Sequence, residues 1–213
     1  MTVEEIIEAR GITEVLHFTT NHGLLGILDS RAVKPTARLP EDKRLEFVFK
    51  PNAPFRKDVK WLDHVSLSLS RINGQFFAAS SRWHRTRDIW WCVLSFRPEI
   101  LTHPGVLFTT TNNKYNVAVR GTGPSGLERL FAATVTEYES GTTVTRYANM
   151  PANFTTCEQA EVLYPGELAT EFIQRAYVKE GDHQDEAHGQ FSAVHHPPIE
   201  VVIDPARFQS VFY

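Results

Sequence analysis

Apolar residues recur at two spacings along this chain, and most of the elements they mark are short. Thr2-Val3-Glu4-Glu5 has the form of a capping box, Ile6 and Ile7 follow, and Gly11 supplies a stop, predicting a short first helix. Ile12 to Thr19 reads as a strand, with Val15 and His17 on one face and Leu16 and Phe18 on the other. Thr20 or Asn21 can cap a helix whose apolar stripe is Leu24, Leu25, Ile27 and Leu28. Val65-Ser66-Leu67-Ser68-Leu69-Ser70 alternates throughout, turning a hydroxyl face away from the core, and Arg71 ends it. Gln75 to Arg82 fits a short helix. Ile89 to Phe96 is almost continuously apolar, as a strand buried on both faces should be.

Between these runs, residues 30–60 carry Pro35, Pro40, Pro51 and Pro54, which block long regular elements and predict an extended excursion. Arg38, Arg44, Asn52 and Arg56 are its candidates for ligand contact. Further on, Asn116 to Val119, Ala133 to Tyr138, Val144 to Ala148, Gln159 to Tyr164 and Ile199 to Ile203 read as short strands. Gly166 to Arg175 reads as helical, Ala176 to Lys179 as extended, and residues 180–196 as a polar loop. Gly121-Thr122-Gly123-Pro124-Ser125-Gly126 matches a dinucleotide fingerprint in form. The helix after it has only about two turns, where the fingerprint needs a βαβ unit of about 30 residues, so a turn is the better reading. The whole reads as one α+β domain, 1–213, with many short strands and few helices.

Composition changes this picture only where charge is concerned. The chain of 213 residues has a net charge of −3, yet Arg31 to Arg97 holds fourteen Lys and Arg against six Asp and Glu, leaving −11 elsewhere. Trp61, Phe76, Phe77, Trp83, Trp90 and Trp91 interleave with that basic segment. Such a stretch fits a polyanion with bases stacked on rings; it equally fits a solvated charged face over an aromatic core. Cys92 and Cys157 read as free thiols in a reducing cytoplasm. The nine histidines show no metal-ligand spacing and read as surface residues, so no metal is expected. No apolar run is long enough to span a membrane.

Two positions carry candidate chemistry. Glu161 lies inside the apolar run Ala160, Val162, Leu163 and Tyr164, sharing a strand face with Gln159 and Leu163. Either it sits in water on an edge strand, or it lines a cleft and acts on a substrate, since burying an unpaired carboxylate is costly. His17 and Thr19 end a strand that opens directly into a helix N-terminus, where free N–H groups suit a phosphate. Asn21 and Gly23 in that junction strengthen a binding reading.

His17-Phe18-Thr19, Gly23-Leu24-Leu25-Gly26-Ile27-Leu28 and Gln159-Ala160-Glu161-Val162-Leu163, taken in order, resemble the DarT family. Arg38-Leu39-Pro40-Glu41, Trp61 to Ser68 and Thr111-Asn112-Asn113 extend the resemblance over nearly the whole chain. These are toxin DNA ADP-ribosyltransferases paired with a macrodomain antitoxin. The resemblance implies a compact, split, mixed β-sheet core with short flanking helices, and transfer of ADP-ribose from NAD to a base in single-stranded DNA, a glycosyl transfer. It implies Glu161 as the catalytic glutamate, with Arg56 or Arg71 as the arginine that neutralises pyrophosphate or polarises the leaving portion. The implied NAD contacts are His17, Thr19, Asn21, Gly23, Leu24, Arg38 and Ser68. For DNA they are Arg82-Trp83-His84-Arg85, an aromatic among cationic groups, and Asn153-Phe154 ahead of the glutamate strand.

The chain also departs from one branch of that family. Gly23 stands where many thymine-modifying relatives carry Asn, and Asn52-Ala53-Pro54-Phe55-Arg56 replaces their Pro-aromatic stretch. With the Thr-Asn-Asn run, these features resemble the guanine-modifying branch, making guanine the first expectation and thymine the second. A monomeric cytoplasmic enzyme follows. The competing readings are an ADP-ribosyltransferase acting on RNA or protein, a non-catalytic nucleic-acid binder, and an oxidoreductase using the Gly121 to Gly126 loop.

Overall fold

The computed structural model describes residues 1–39, 59–83 and 88–209. In chain order it contains α1 (Val3–Arg10), β1 (Val15–Thr20), α2 (Asn21–Ser30), β2 (Ala32–Val33), β3 (His64–Leu69), α3 (Gly74–Trp83), β4 (Trp91–Phe96) and β5 (Leu107–Thr109). There follow β6 (Arg120–Thr122), α4 (Gly123–Arg129), β7 (Thr134–Thr136), β8 (Thr143–Thr145), β9 (Glu161–Pro165), β10 (Leu168–Ala169), β11 (Ile173–Val178), α5 (Gly181–Ala193) and β12 (Glu200–Ile203). Eight strands form one sheet in the order β12-β11-β4-β1-β3-β9-β5-β6; β10 pairs with β2 and β7 with β8. Within the large sheet every pairing is antiparallel except β11 with β12, joined by the α5 crossover.

Side-chain alternation divides the core. Val15, Leu67, Leu94, Val162 and Ala176 face helices α1, α2, α4 and α5, while Leu16, Val93 and Tyr177 face Phe77 of α3 and Phe208 near the C-terminus. Strand β4 is buried at all six positions because it has a strand on each side and packing on both faces. A carboxylate is also buried here. Glu14 accepts hydrogen bonds from Ser95 Oγ and Tyr177 O–H at 2.8 Å each and pairs with Arg207, so its charge is compensated.

The capping box, the Gly11 stop, the Thr20 cap and the strands around Leu67, Val93 and Val162 form as the sequence predicts. Four stretches differ. Residues 116–119 are a turn, and the strand there is β6, immediately after it. Strand β5 has only three residues and shows no periodicity that could announce it. Residues 166–175 hold β10, one 3-10 turn at Thr170–Phe172 and the start of β11 instead of a helix. Residues 180–196, read as a loop, contain helix α5. Only Ala187 and Phe191 of α5 are buried, so its own apolar stripe is minimal. Its partners make it: His183 stacks on Trp90 with ring centroids 4.8 Å apart, and Glu186 accepts from Trp90 Nε1 at 2.7 Å and Asn21 Nδ2 at 3.1 Å.

The glycine run at 121–126 is structural. A Cβ on Gly126 would lie 2.4 Å from the Gly121 carbonyl oxygen, so the pair lets α4 pack against β6, and α4 is a seven-residue helix. Both cysteines are free and buried, and burial pushes the Cys92 thiol up to about 12. Among the described residues no helix is long and apolar enough to cross a membrane.

Candidate active site

The sheet opens between β1 and β3. These strands pair only at Val15 with Leu69 and Leu16 with Ser68. Beyond Leu16, β1 continues alone beside β4 as far as Thr20, while β3 pairs from His64 to Leu67 with β9. The His17 imidazole bridges the opening, its Nδ1 lying 3.1 Å from the Ser66 carbonyl oxygen. A carbonyl only accepts, so Nδ1 carries the hydrogen and the neutral ring presents Nε2 as an acceptor. Burial lowers the His17 pKa against the opposing effect of that hydrogen bond, which favours the neutral form.

Glu161 lies on the next strand, β9, level with the Leu16–Ser68 pair at which the opening begins. It is the first residue of β9, half-buried, and it sits across from Thr109 of β5, which in turn sits across from Arg120 of β6. Ser66 pairs with Leu163, so Ser66, Ser68, Leu163 and Glu161 share a face. By alternation His17 belongs to the other face, and its ring meets the Ser66 backbone where β1 and β3 have parted. Where β1 and β3 are still paired, a strand spacing of about 4.8 Å puts β1 and β9 about 10 Å from each other across β3. The carboxylate of Glu161 accepts from the Asn113 backbone N–H at 2.8 Å and from Asn112 Nδ2 at 3.3 Å.

The β1–α2 junction forms the third side. Thr20 caps α2, its Oγ1 accepting from Gly23 N–H at 3.2 Å, and Thr19 precedes it half-buried. A Cβ on Gly23 would stand 2.1 Å from Thr19 Oγ1, so the glycine makes room for that hydroxyl. At the far end of β3, Ser70 adopts a left-handed φ of 60° and turns the chain at Arg71. Arg71 donates to the Thr155 carbonyl at 3.0 Å and lies over the Phe154 ring at 4.9 Å, joining β3 to the segment that leads into Glu161. Arg146 holds the same segment through the Phe154 and Pro151 carbonyls, both at 2.7 Å.

The structure thus sets His17, Thr19 and Gly23 along the β1–α2 side of the opening and Ser68 and Glu161 at its closed end, with Arg71 past that end beyond Ser70. Three other candidates are committed elsewhere. The Asn21 amide is buried and committed to the Asp88 carbonyl and Glu186, and Leu24 is fully buried in the core. Arg38 is exposed and grips Asp63 with both carboxylate oxygens engaged. Arg44, Asn52, Arg56, His84 and Arg85 lie outside the described residues, as does the Trp83 side chain; Arg82 is exposed on α3 and Asn153 is half-buried. Of the aromatics in the basic segment, Phe77, Trp90 and Trp91 are core, while Phe76 is 41% exposed beside Phe18. The histidines are not all superficial either: His196 is buried, bonded to Thr170 Oγ1 and the Pro197 carbonyl. Among the described residues no three His, Cys, Asp or Glu side chains gather as a metal site. The Glu161 contacts made by Asn112 and Asn113, and the Arg120 beneath them, are not among the residues the sequence predicts for the site; the Thr111-Asn112-Asn113 run signals the two asparagines and nothing signals Arg120.

A sheet that opens beside the histidine strand β1, with the glutamate strand β9 beyond β3, has its match among known ADP-ribosyltransferases. The family described as DarT, ssDNA thymidine ADP-ribosyltransferase, matches residues 16–213, and the chain belongs to the DarT family. Thermus sp. 2.9 DarT in complex with ADP-ribosylated ssDNA is similar at a TM-score of 0.66 and 14% identity, covering 93% of this chain and 97% of that one. The same protein in complex with NAD+ gives 0.63 at 15% identity, covering 92% and 97%. Thermosipho africanus DarTG in complex with ADP-ribose gives 0.62 at 13% identity and covers 92% of this chain but 51% of that one, so this chain spans about half its length. At these identities the likeness is one of fold. No curated protein sequence matches the chain.

Proposed function

We propose that this chain is an NAD-dependent mono-ADP-ribosyltransferase that modifies a base of single-stranded DNA and releases nicotinamide. Family membership over residues 16–213 supports the reaction class, and the placement of Glu161 beside the β1–β3 opening is the observation that carries it. Guanine is the first base we assign and thymine the second. Gly23 and Asn52-Ala53-Pro54-Phe55-Arg56 favour guanine; the family description, which names thymidine, favours the other. The role we assign is that of a toxin in a toxin–antitoxin pair serving phage defence, opposed by a macrodomain antitoxin. We read it as a single-domain, monomeric, cytoplasmic protein.

The residues divide the chemistry between them. In this reaction the bond from the ribose anomeric carbon to the nicotinamide nitrogen breaks, the electron pair leaves with nicotinamide, and a base nitrogen bonds to the same carbon. Positive charge builds on the sugar as this happens. Glu161, held by two N–H donors before any substrate arrives, would grip the ribose hydroxyls and stabilise that charge without reorganising. It would also take the proton released by the attacking nitrogen. His17 Nε2, an acceptor in the neutral ring, would receive a ribose hydroxyl. The α2 N-terminus would favour phosphate oxygens, and Arg71 or Arg56 would supply the positive charge.

Incubation with NAD and single-stranded oligonucleotides, each lacking one base, tests this by mass. ADP-ribose gained on oligonucleotides that contain guanine, and lost when guanine is removed, is the expected result. Transfer only to RNA or protein would overturn the acceptor assignment, and binding without turnover would overturn the reaction.

A further inference from the structure

The geometry points to Arg120 as a positioning residue that acts through Glu161, an inference that rests on the transferase reading above. The chain leaves the sheet at Thr110 and returns at Arg120, and the intervening loop carries two donors to Glu161. It has little regular structure of its own: Thr110 N–H bonds the Val119 carbonyl at 3.1 Å, and Val119 N–H bonds Thr110 Oγ1 at 3.1 Å, closing its neck. The inside of the loop is filled by the Arg120 guanidinium. Nε donates to Asn113 Oδ1 at 2.7 Å, Nη1 to the Ala118 carbonyl at 3.0 Å, and Nη2 to the Asn113 carbonyl at 2.7 Å and the Tyr115 carbonyl at 3.2 Å.

Asn113 is therefore held at its side chain and its carbonyl by one residue, while its N–H holds Glu161 at 2.8 Å. Arg120 also lies on the rung shared by Thr109 and Glu161, so its side chain stands on the glutamate's face of the sheet. The planar fork matters, because a lysine ammonium has three donors on one atom and cannot reach four acceptors spread around the loop. Without the fork, buried acceptors on Asn113 lose their partner and the loop must move to find water. The Asn113 N–H and the Asn112 amide then shift, and Glu161 loses the orientation they impose. A misplacement of about 1 Å in a catalytic group costs about 10²-fold in rate.

The test measures kcat and KM for NAD in transfer to single-stranded DNA, thermal stability, and hydrogen exchange at the Asn113 amide without substrate. The variants are Arg120→Ala, Arg120→Lys and Asn113→Ala, with Asn116→Ala as a control because its side chain meets Glu139 and not Glu161. Arg120→Ala should lower kcat about 10²-fold with KM for NAD little changed, and Arg120→Lys should fail to restore it. Asn116→Ala should remain within about twofold, since a distant surface contact moves the glutamate little. Arg120→Ala added to Glu161→Gln should cost nothing further, since its effect passes through the carboxylate; a merely structural role would add its own loss. If Arg120→Ala does not fold, Arg120→Lys carries the same comparison. Full activity in a folded Arg120 variant, or additive losses with Glu161→Gln, would overturn the inference. An inactive wild-type protein whose Asn113 amide is protected, and deprotected by Arg120→Ala, would instead sink the transferase reading while leaving the positioning geometry standing.

Discussion

Substituting Gly23 by alanine separates the stability of the β1–α2 junction from its use in binding. The added Cβ would meet Thr19 Oγ1 at 2.1 Å and Thr19 Cβ at 3.4 Å, so the hydroxyl has to leave. Threonine places Oγ1 and Cγ2 in two of the three staggered positions about χ1, and only one rotamer turns the hydrogen toward residue 23. Fixing that one rotamer costs about 0.5–1 kcal/mol of side-chain freedom. Alanine in place of glycine within a helix returns about 0.5–1 kcal/mol. The two nearly cancel, so Tm should move by no more than about 2–4 °C. Binding should not be spared. If the Thr19 hydroxyl contacts NAD, its removal loses one hydrogen bond of about 0.5–1.5 kcal/mol, a rise in Kd of about 2- to 10-fold. Titration calorimetry with NAD and thermal unfolding of Gly23→Ala, Thr19→Val and the double variant measure both effects. Thr19→Val should match the binding loss without any clash at residue 23 to relieve. NAD affinity in Gly23→Ala equal to that of the wild type would remove Thr19 from the site. A stability loss of several kcal/mol would show that side-chain rotation does not relieve the junction.

Other outcomes follow from the same structure. Glu14→Ala takes one of its two carboxylate partners from Arg207, leaving Asp204, and removes the acceptor of the Ser95 and Tyr177 hydroxyls, and should cost about 2–4 kcal/mol in denaturant unfolding. A loss under 1 kcal/mol would refute the compensated-charge account. His17 has a folded pKa below its ordinary value, so the unfolded chain binds more protons as pH falls. Its contribution is therefore fully present above about pH 6.5 and is lost as pH drops from there toward the depressed value. The stability gap between pH 7.5 and pH 5.5 should narrow in His17→Gln. Both thiols should resist iodoacetamide at pH 8 in the native protein and react fully in denaturant, because both are buried and the Cys92 pKa stands at about 12. Fast native alkylation of Cys92 would contradict its placement at the centre of the sheet.

The parts of the fold legible in the sequence are those whose cause is local. Thr2 with Glu5, Gly11 after Arg10, and Thr20 before Asn21 are caps that operate within one turn, and each forms as read. The alternation from Val65 to Ser70 is likewise a property of neighbours. What escaped the reading depends on distant partners. Helix α5 exists because Trp90 and Asn21 meet His183 and Glu186, contacts more than ninety residues apart in the chain that no local periodicity reveals. Strand β5 is three residues long and is defined by its neighbours β9 and β6. The site divides in the same way. Glu161 and His17 were visible as polar residues interrupting apolar strands. Asn21 looked like one of them, yet its amide serves the α2–α5 contact, because a buried side chain's partner cannot be seen from its own segment. Arg120 gave no signal at all, since its role appears only when a loop folds back around it.

The central claim is that Glu161, fixed beside the β1–β3 opening, carries ADP-ribosyl transfer to DNA. Its most direct test compares wild type with Glu161→Gln in the presence of NAD and single-stranded DNA, reading the mass of the DNA and the melting curve of each protein. ADP-ribose should appear on DNA with the wild type and fall at least about 10²-fold with the variant, and the two proteins should melt alike. Transfer at the wild-type rate by Glu161→Gln would contradict the claim.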